Sequence, residues 1–155
     1  MPPAPASLRV RRATASDLDD LVALEQRSFS SDRLSRAQYR RHLDSDSALV
    51  LVASANHHLF LGSAVLFFRK RSTLARLYSL ATQPEARGQG VGAALLEAAT
   101  VAARRRGSHA LCLEVRTDNA AAISLYEKRG FRRIGRLAAF YEDGADAWRY
   151  GLALG

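Results

Sequence analysis

Apolar and polar positions alternate over residues 8–12, a period of two that predicts a strand. The period then changes: Leu18, Leu21, Val22 and Leu24, with Phe29 beyond, recur at helical spacing and predict a helix to about Ser28. Thr14 and Ser16, each three residues before an aspartate (Asp17, Asp19), mark its start. Residues 35–43 predict a second, short helix. Strand runs follow at residues 49–53 and 59–68, around a turn at Asn56-His57-His58, and at residues 73–82, closed by Pro84. Helical spacing returns over residues 91–106, where Ala93, Ala94, Ala98, Ala99, Ala102 and Ala103 make the helix thin enough to lie close to a sheet and Gly107 stops it. Residues 109–116 predict a strand, 119–129 a helix ended by Gly130, and 131–140 and 148–154 two final strands. The order βααβββαβαββ is that of a mixed α/β domain around one sheet.

A length of 155 residues suits one domain with a sizeable core, and the expected division is a loose leader over residues 1–7 and a single domain over residues 8–155. The start, Met1-Pro2-Pro3-Ala4-Pro5-Ala6, lacks the basic and apolar regions of a secretory signal, and no apolar run reaches membrane-spanning length. A cytoplasmic protein with no membrane partner is expected. The only cysteine, Cys112, lies in the apolar run Ala110-Leu111-Cys112-Leu113; it reads as a core thiol rather than a nucleophile.

The net charge of +8 adds a question about partners. Arginine recurs in groups: Arg9/Arg11/Arg12, Arg40/Arg41, Arg69/Lys70/Arg71, Arg104/Arg105/Arg106 and Arg132/Arg133/Arg136. A nucleic-acid protein gathers such charge on one face, with aromatic residues interleaved for single strands. Along this chain the groups fall at the ends of successive elements. The expectation is therefore a polyanionic small ligand or an acidic protein partner, not nucleic acid.

The most informative segment is Arg87-Gly88-Gln89-Gly90-Val91-Gly92, between a strand and the alanine-rich helix. Glycines let the backbone approach a ligand closely, and the helix start directs free N–H groups and a positive dipole end at the same place. Arg87 can pair with phosphate, and the amides of residues 88–93, Ala93 included, can donate to it; a tight turn before a helix is the plainer alternative. The spacing 88, 90, 92 is not the Rossmann fingerprint, and the Gly-Lys-Ser/Thr of a Walker loop is absent. Downstream, Asn119 and Tyr126 fall on one helical face two turns apart, where capping and packing are their ordinary uses. Glu114, in Leu113-Glu114-Val115-Arg116, is a strand carboxylate with apolar neighbours; it needs an arginine partner, or it is a proton acceptor. His42, His57, His58 and His109 have no metal-ligand spacing, and no metal is expected.

Together these pieces resemble the GNAT N-acetyltransferase superfamily. The stretch from Leu80-Ala81-Thr82 through Pro84 to Arg87-Gly88-Gln89-Gly90-Val91-Gly92 matches the family's (Gln/Arg)-x-x-Gly-x-(Gly/Ala) signature after a strand. The run Leu113-Glu114-Val115-Arg116-Thr117-Asp118-Asn119 through Tyr126-Glu127-Lys128-Arg129-Gly130-Phe131 is similar to the branch of ribosomal-protein alanine N-acetyltransferases. The resemblance implies a single-domain GNAT fold, with a mixed, mostly antiparallel central sheet flanked by helices. It also implies acetyl-CoA as co-substrate, with its pyrophosphate on the amides of residues 87–92 and its pantetheine arm beside Leu80–Thr82. Asn119 would hold that arm, Tyr126 would protonate the departing thiolate, and Glu114 would take a proton from the incoming amine, directly or through water. A base is needed because an α-amine of pKa about 8, or a lysine near about 10.4, is largely protonated at neutral pH. A strand N–H would steady the oxyanion.

The match departs on the acceptor side. That branch commonly carries Pro-Trp after the Ser-Phe pair, whereas this chain reads Ser28-Phe29-Ser30-Ser31-Asp32-Arg33, and Arg76-Leu77-Tyr78-Ser79 replaces smaller or different polar groups. Phe140, Tyr141, Glu142, Asp143 and Asp146 lie in the last hairpin, where an acidic cluster would attract a cationic amine unless it is a solvated turn. The leading expectation is direct acetyl transfer to a protein or peptide amine, N-terminal or lysine. A small-molecule amine acetyltransferase and a non-catalytic CoA-binding module are the alternatives.

Overall fold

The computed structural model describes residues 7–56 and 58–155, so the expected leader before Ser7, and His57 in the expected turn, lie outside the described residues. In chain order the elements are β1 (Arg9–Arg12), α1 (Leu18–Ser28), α2 (Arg36–Leu43), β2 (Ala48–Ala55), β3 (Leu59–Phe68), β4 (Leu74–Thr82), α3 (Val91–Arg105), β5 (Ala110–Arg116), α4 (Ala120–Lys128), β6 (Arg132–Leu137) and β7 (Ala147–Ala153). The order is the one that the periodicity predicts.

Local chemistry sets the helix starts. Asp17 accepts the Thr14 N–H at 2.7 Å before α1, and Arg11 grips the same carboxylate at 2.7 and 2.8 Å. Before α2, Ser35 Oγ accepts the Gln38 N–H at 3.1 Å while the Gln38 side chain accepts the Ser35 N–H at 2.8 Å, a reciprocal cap.

The strands form one seven-stranded sheet in the order β1-β2-β3-β4-β5-β7-β6. Every neighbouring pair is antiparallel except β4–β5, which is parallel because α3 carries the chain back across the sheet between them. Alternation along β2 shows both faces in use. Leu51, Ala53 and Ala55 join the core under α3, with Val91, Leu95, Leu96 and Ala99, whereas Val50 and Val52 join Leu21, Leu24 and Tyr39 under α1 and α2. Each large aliphatic side chain fully buried there contributes up to about 1.5–3 kcal/mol. Of the α3 alanines, Ala99 and Ala103 face the sheet, and it is Gly62 of β3 that lets the helix lie close: a Cβ there would stand 3.1 Å from both Leu95 and Val91 and 2.6 Å from the Ala81 carbonyl oxygen.

Most boundaries differ from the expected ones by one or two residues, and the largest difference is at the end of β6. β6 ends at Leu137, not Phe140, because Ala139 takes φ +49° and its N–H turns to Asp146 Oδ1 at 2.8 Å. Strand pairing cannot continue through a left-handed residue.

Candidate active site

Parallel pairing of β4 with β5 stops at Leu77 opposite Leu113. Val65 faces Ser79 and Leu66 faces Leu77, so Tyr78 is an extra residue that bends β4. Past this bulge, Ser79, Leu80, Ala81 and Thr82 remain paired to β3 alone, and β4 leaves β5. A cavity of about 580 Å³ opens in the wedge. Its walls are Arg76–Leu80 of β4, Glu114–Arg116 of β5, Asn119 and Tyr126 at the two ends of α4, residues 28–32 after α1, and Phe140 and Tyr141 of the β6–β7 loop.

The glycine loop lies at the open end of the wedge rather than in this cavity. Gly88 and Gly90 take φ +78° and +82°, a conformation that costs other residues strain. The first α3 bond, Ala94 N–H to the Gly90 carbonyl at 3.0 Å, leaves the amides of Val91, Gly92 and Ala93 directed out of the helix start, where the dipole is positive. The Val91 side chain is buried in the core, so only its amide is available to a ligand. Gly92 faces the seam between helices: a Cβ there would lie 3.3 Å from Leu125 of α4 and 3.8 Å from Thr82 Oγ1. Arg87 is exposed beside the loop, and Gln89 bonds weakly back to the Glu85 carbonyl at 3.4 Å. Arg27 of α1 holds the preceding turn through Gln83 and Glu85, each at 2.7 Å. A free strand edge, a cradle of amides and a glycine where a side chain would narrow the seam fit an extended ligand ending in a pyrophosphate. Of the three β4 residues expected beside such a ligand, Leu80 lines the cavity and Thr82 faces Gly92. Ala81 packs under α1 and α2, so it offers backbone only.

Both expected chemical groups line the cavity. The Tyr126 side chain is 7% exposed, with its ring 5.8 Å from that of Phe131, and burial pushes its phenol above the ordinary value. Tyr126 therefore keeps its proton at neutral pH. The Glu114 side chain, 5% exposed, is held by two guanidinium groups: Arg76 bonds Oε1 at 2.6 and 2.8 Å, and Arg149, opposite it on β7, bonds Oε2 at 3.1 Å. The arginine partner anticipated for this carboxylate is present twice over. Oε1 takes both Arg76 bonds, whereas Oε2 takes only the one from Arg149, so Oε2 retains a lone pair with which to accept from an amine or a water. Asn119 caps α4, its Oδ1 accepting the Ala122 N–H at 3.2 Å; that uses one end of the amide and leaves the NH₂ group for the wedge. Cys112 is buried, and desolvation raises its thiol, which is the opposite of what a nucleophile needs.

The mouth of the wedge away from the glycine loop is braced by contacts that only the fold creates. Arg116 pairs with Asp143 at 2.7 Å, reaches Ser31 Oγ at 3.4 Å and stacks over Tyr141 at 4.6 Å. The Glu142 N–H donates to Asp32 at 3.1 Å. Residues 28–32 and the β6–β7 loop are thereby joined. Asp143 and Asp146 do not form a free acidic cluster: Asp143 is taken by Arg116, and Asp146 by Arg136 and the Ala139 N–H. Glu25 of α1 was also passed over. It is 3% exposed, its oxygens accept the Tyr39 hydroxyl at 2.6 Å and the Leu34 N–H at 2.9 Å, and burial raises its carboxyl. The available signal was a glutamate four residues after Leu21, on the apolar stripe of α1.

The acetyltransferase (GNAT) family profile matches residues 17–131 of this chain. The chain belongs to the GNAT acetyltransferase family. Among relatives of this GNAT chain, N-alpha-acetyltransferase 30 of Schizosaccharomyces pombe is 35% identical over 136 residues, covering 86% of this chain and 89% of that protein. Mycothiol acetyltransferase of Clavibacter michiganensis is 34% identical over 137 residues, and there the match spans only 44% of the relative's length. The crystal structure of the ribosomal-protein-S18-alanine N-acetyltransferase from Escherichia coli superposes with a TM-score of 0.83 at 28% identity, over 96% of this chain and 94% of that one. As a GNAT enzyme the protein is an N-acetyltransferase that uses acetyl-CoA and delivers the acetyl group to an amine. Among the described residues no group of three His, Cys, Asp or Glu side chains gathers to hold a metal ion, and no helix is long and apolar enough to cross a membrane.

Proposed function

We propose that the acceptor of this GNAT enzyme is the α-amine at the start of a protein or peptide chain, attacked directly, and that residues 8–155 form the catalytic domain. The observation that carries the reading is that the Glu114 carboxylate and the Tyr126 phenol line one wedge. The glycine loop follows β4 at one end of that wedge, and residues 28–32 and the β6–β7 loop frame the other end. The names of relatives that act on α-amines or ribosomal-protein alanine support the acceptor class.

Each residue then has a physical task. The amides of residues 87–93 and the Arg87 guanidinium hold the pyrophosphate. Backbone groups of Leu80, Ala81 and Thr82, unpaired on the β5 side, hold the pantetheine arm with the Asn119 amide. When bound, acetyl-CoA supplies a thioester carbonyl and a thiolate leaving group. Glu114, fixed by Arg76 and Arg149, accepts the proton that the amine must lose, through water where the distance requires it. A free β4 N–H donates to the developing oxyanion. Tyr126, whose raised pKa keeps it protonated, gives its proton to the departing sulfur. No acyl-enzyme is needed, in keeping with the buried, inert Cys112.

Thiol release from acetyl-CoA tests the acceptor. Peptides with free α-amines, the same peptides N-terminally blocked but carrying a free lysine, and spermidine are offered in turn. The proposal expects release with free α-amines and little with the others. Release only with lysine or the small amine overturns it, as does CoA binding without turnover on any acceptor.

A further inference from the structure

Three of the five basic groups that are scattered along the sequence, with Arg12 of a fourth, meet at one pole of the fold. Arg12 ends β1 opposite Leu51 of β2. Arg40 and Arg41 lie in the last turn of α2, just before β2 begins, and Ala48 at the start of β2 pairs with Phe67 at the end of β3. Arg69, Lys70 and Arg71 form the turn from β3 to β4, and Arg104, Arg105 and Arg106 close α3. The glycine loop opens the other end of α3, whose 15 residues span about 22 Å. The pole is thus remote from the donor site.

All nine cations are exposed, and among the described residues none of their side chains makes an ion pair, a state shared with Arg9, Arg33, Arg87, Arg129, Arg132 and Arg133; Arg11, Arg27, Arg36, Arg76, Arg116, Arg136 and Arg149 are paired. The carboxylates that share the loop before β2 are Asp44 and Asp46, and it is the Asp46 backbone carbonyl, not its carboxylate, that accepts from Arg106. Nor is the surface flat. Hollows of about 300 and about 240 Å³ adjoin across a shared wall of Asp46, Phe68 and Arg106, with Arg12 on the first and Arg69 and Lys70 on the second. Phe68 carries the Arg106 guanidinium over its ring at 4.2 Å, which fixes that cation at the centre of the groove.

Nine cations gathered beside only the two carboxylates of Asp44 and Asp46 repel one another, and a bound anion relieves that repulsion. A groove lined on both sides by guanidinium forks suits a chain of phosphates, since each fork matches two phosphate oxygens. A bilayer would instead meet a flat face with apolar side chains for insertion. Among the described residues the only large hydrophobic exposed at this pole is Leu74.

We propose that the pole formed by the ends of α2 and α3, the β3–β4 turn and the end of β1 binds the sugar–phosphate backbone of a nucleic acid. This surface stands apart from the acetyl-transfer site. The basic groups are separate in the linear sequence and converge only on folding.

The test is fluorescence anisotropy with a labelled single-stranded RNA of about 20 nucleotides and a DNA duplex of similar length, from about 50 to about 200 mM salt. The full chain is compared with a triple variant (Arg69→Ala, Lys70→Ala, Arg105→Ala), with Arg40→Ala/Arg41→Ala, and with a control at the far sheet edge (Arg129→Ala/Arg132→Ala). Expected are salt-dependent binding by the full chain, an affinity loss of about tenfold or more in both polar variants, and a log–log salt slope shallower by about 2 in the triple variant, at roughly 0.7 per lost phosphate contact on a single strand. The far-edge control and acetyl transfer should be unaffected. The RNA and duplex arms tell which nucleic acid is preferred. No binding at the lowest salt overturns the proposal, as does equal loss in the far-edge control. Equal or tighter binding to polyglutamate or to phosphatidylserine vesicles also overturns it, in favour of an acidic protein or a membrane.

Discussion

Replacing Glu114 with Gln separates the two things that this carboxylate does. Gln keeps the shape but offers one carbonyl oxygen and one NH₂ group, and the NH₂ cannot accept from a guanidinium. Either the two bonds from Arg76 at 2.6 and 2.8 Å or the bond from Arg149 at 3.1 Å must therefore be lost. Breaking a fully buried ion pair costs about 3–5 kcal/mol, and an exposed one about 0–1. Here the carboxylate is 5% exposed but its partners are 40% and 44% exposed, so a released guanidinium can turn to water. The expected cost is about 1–3 kcal/mol. For 155 residues that lowers the melting temperature by roughly 2–12 °C, read by thermal denaturation. Catalysis responds separately. At about pH 6 only about one in a hundred α-amines of pKa about 8 is deprotonated, and near pH 9 most are. Loss of a proton acceptor should therefore cost kcat/KM about a hundredfold or more at the low end and progressively less as pH rises. A wild-type to variant ratio that stays constant from about pH 6 to about pH 9 refutes the proton-acceptor role. An unchanged melting temperature refutes the ion-pair reading.

Gly62→Ala should destabilise by about 1–3 kcal/mol, because a Cβ 2.6 Å from the Ala81 carbonyl oxygen meets backbone that cannot swing aside; a melting temperature within a degree of wild type contradicts the packing. Asp17→Asn should cost about 1–3 kcal/mol at neutral pH by urea unfolding, since it removes the charge-assisted grip of Arg11. The Arg11 hydrogen bonds hold the Asp17 carboxyl below its unfolded value, so its contribution is present at neutral pH and is lost as pH falls through the folded pKa. The two proteins should then converge in acid, and a gap that persists there contradicts the assignment. Arg116→Ala should raise KM for peptide while leaving KM for acetyl-CoA unchanged, because it unties the acceptor mouth only, and should let the Asp143 carboxyl return upward to its ordinary range by NMR titration. Equal effects on both substrates would show that the brace serves the whole wedge.

Features with a local cause were legible in the sequence. The glycine loop, the Asn119 cap and the order of elements each depend on residues within one or two turns of one another. What escaped notice depends on register. Arg76 and Arg149 stand 38 and 35 residues from Glu114, and only strand pairing brings them to one carboxylate. The bulge at Tyr78 is likewise a property of the β3–β4 ladder, not of β4 alone, and it is the bulge that bends β4 away and opens the wedge. Asp146 shortens β6 by drawing the Ala139 N–H out of the strand line, a contact across the hairpin loop that alternation does not reveal. The basic pole is the largest case: three short charge groups and Arg12, each unremarkable at the end of its element, become one surface because those elements end at the same side of the sheet.

The wedge is held to be a reaction site in which the Tyr126 phenol gives its proton to the departing thiolate. Tyr126→Phe removes only the hydroxyl and keeps the ring against Phe131, so the fold and the donor cradle should persist. Steady-state thiol release, measured beside calorimetric CoA binding, should show kcat lowered by about a hundredfold or more with CoA affinity within about twofold of wild type. Unchanged kcat with unchanged CoA binding would contradict the account.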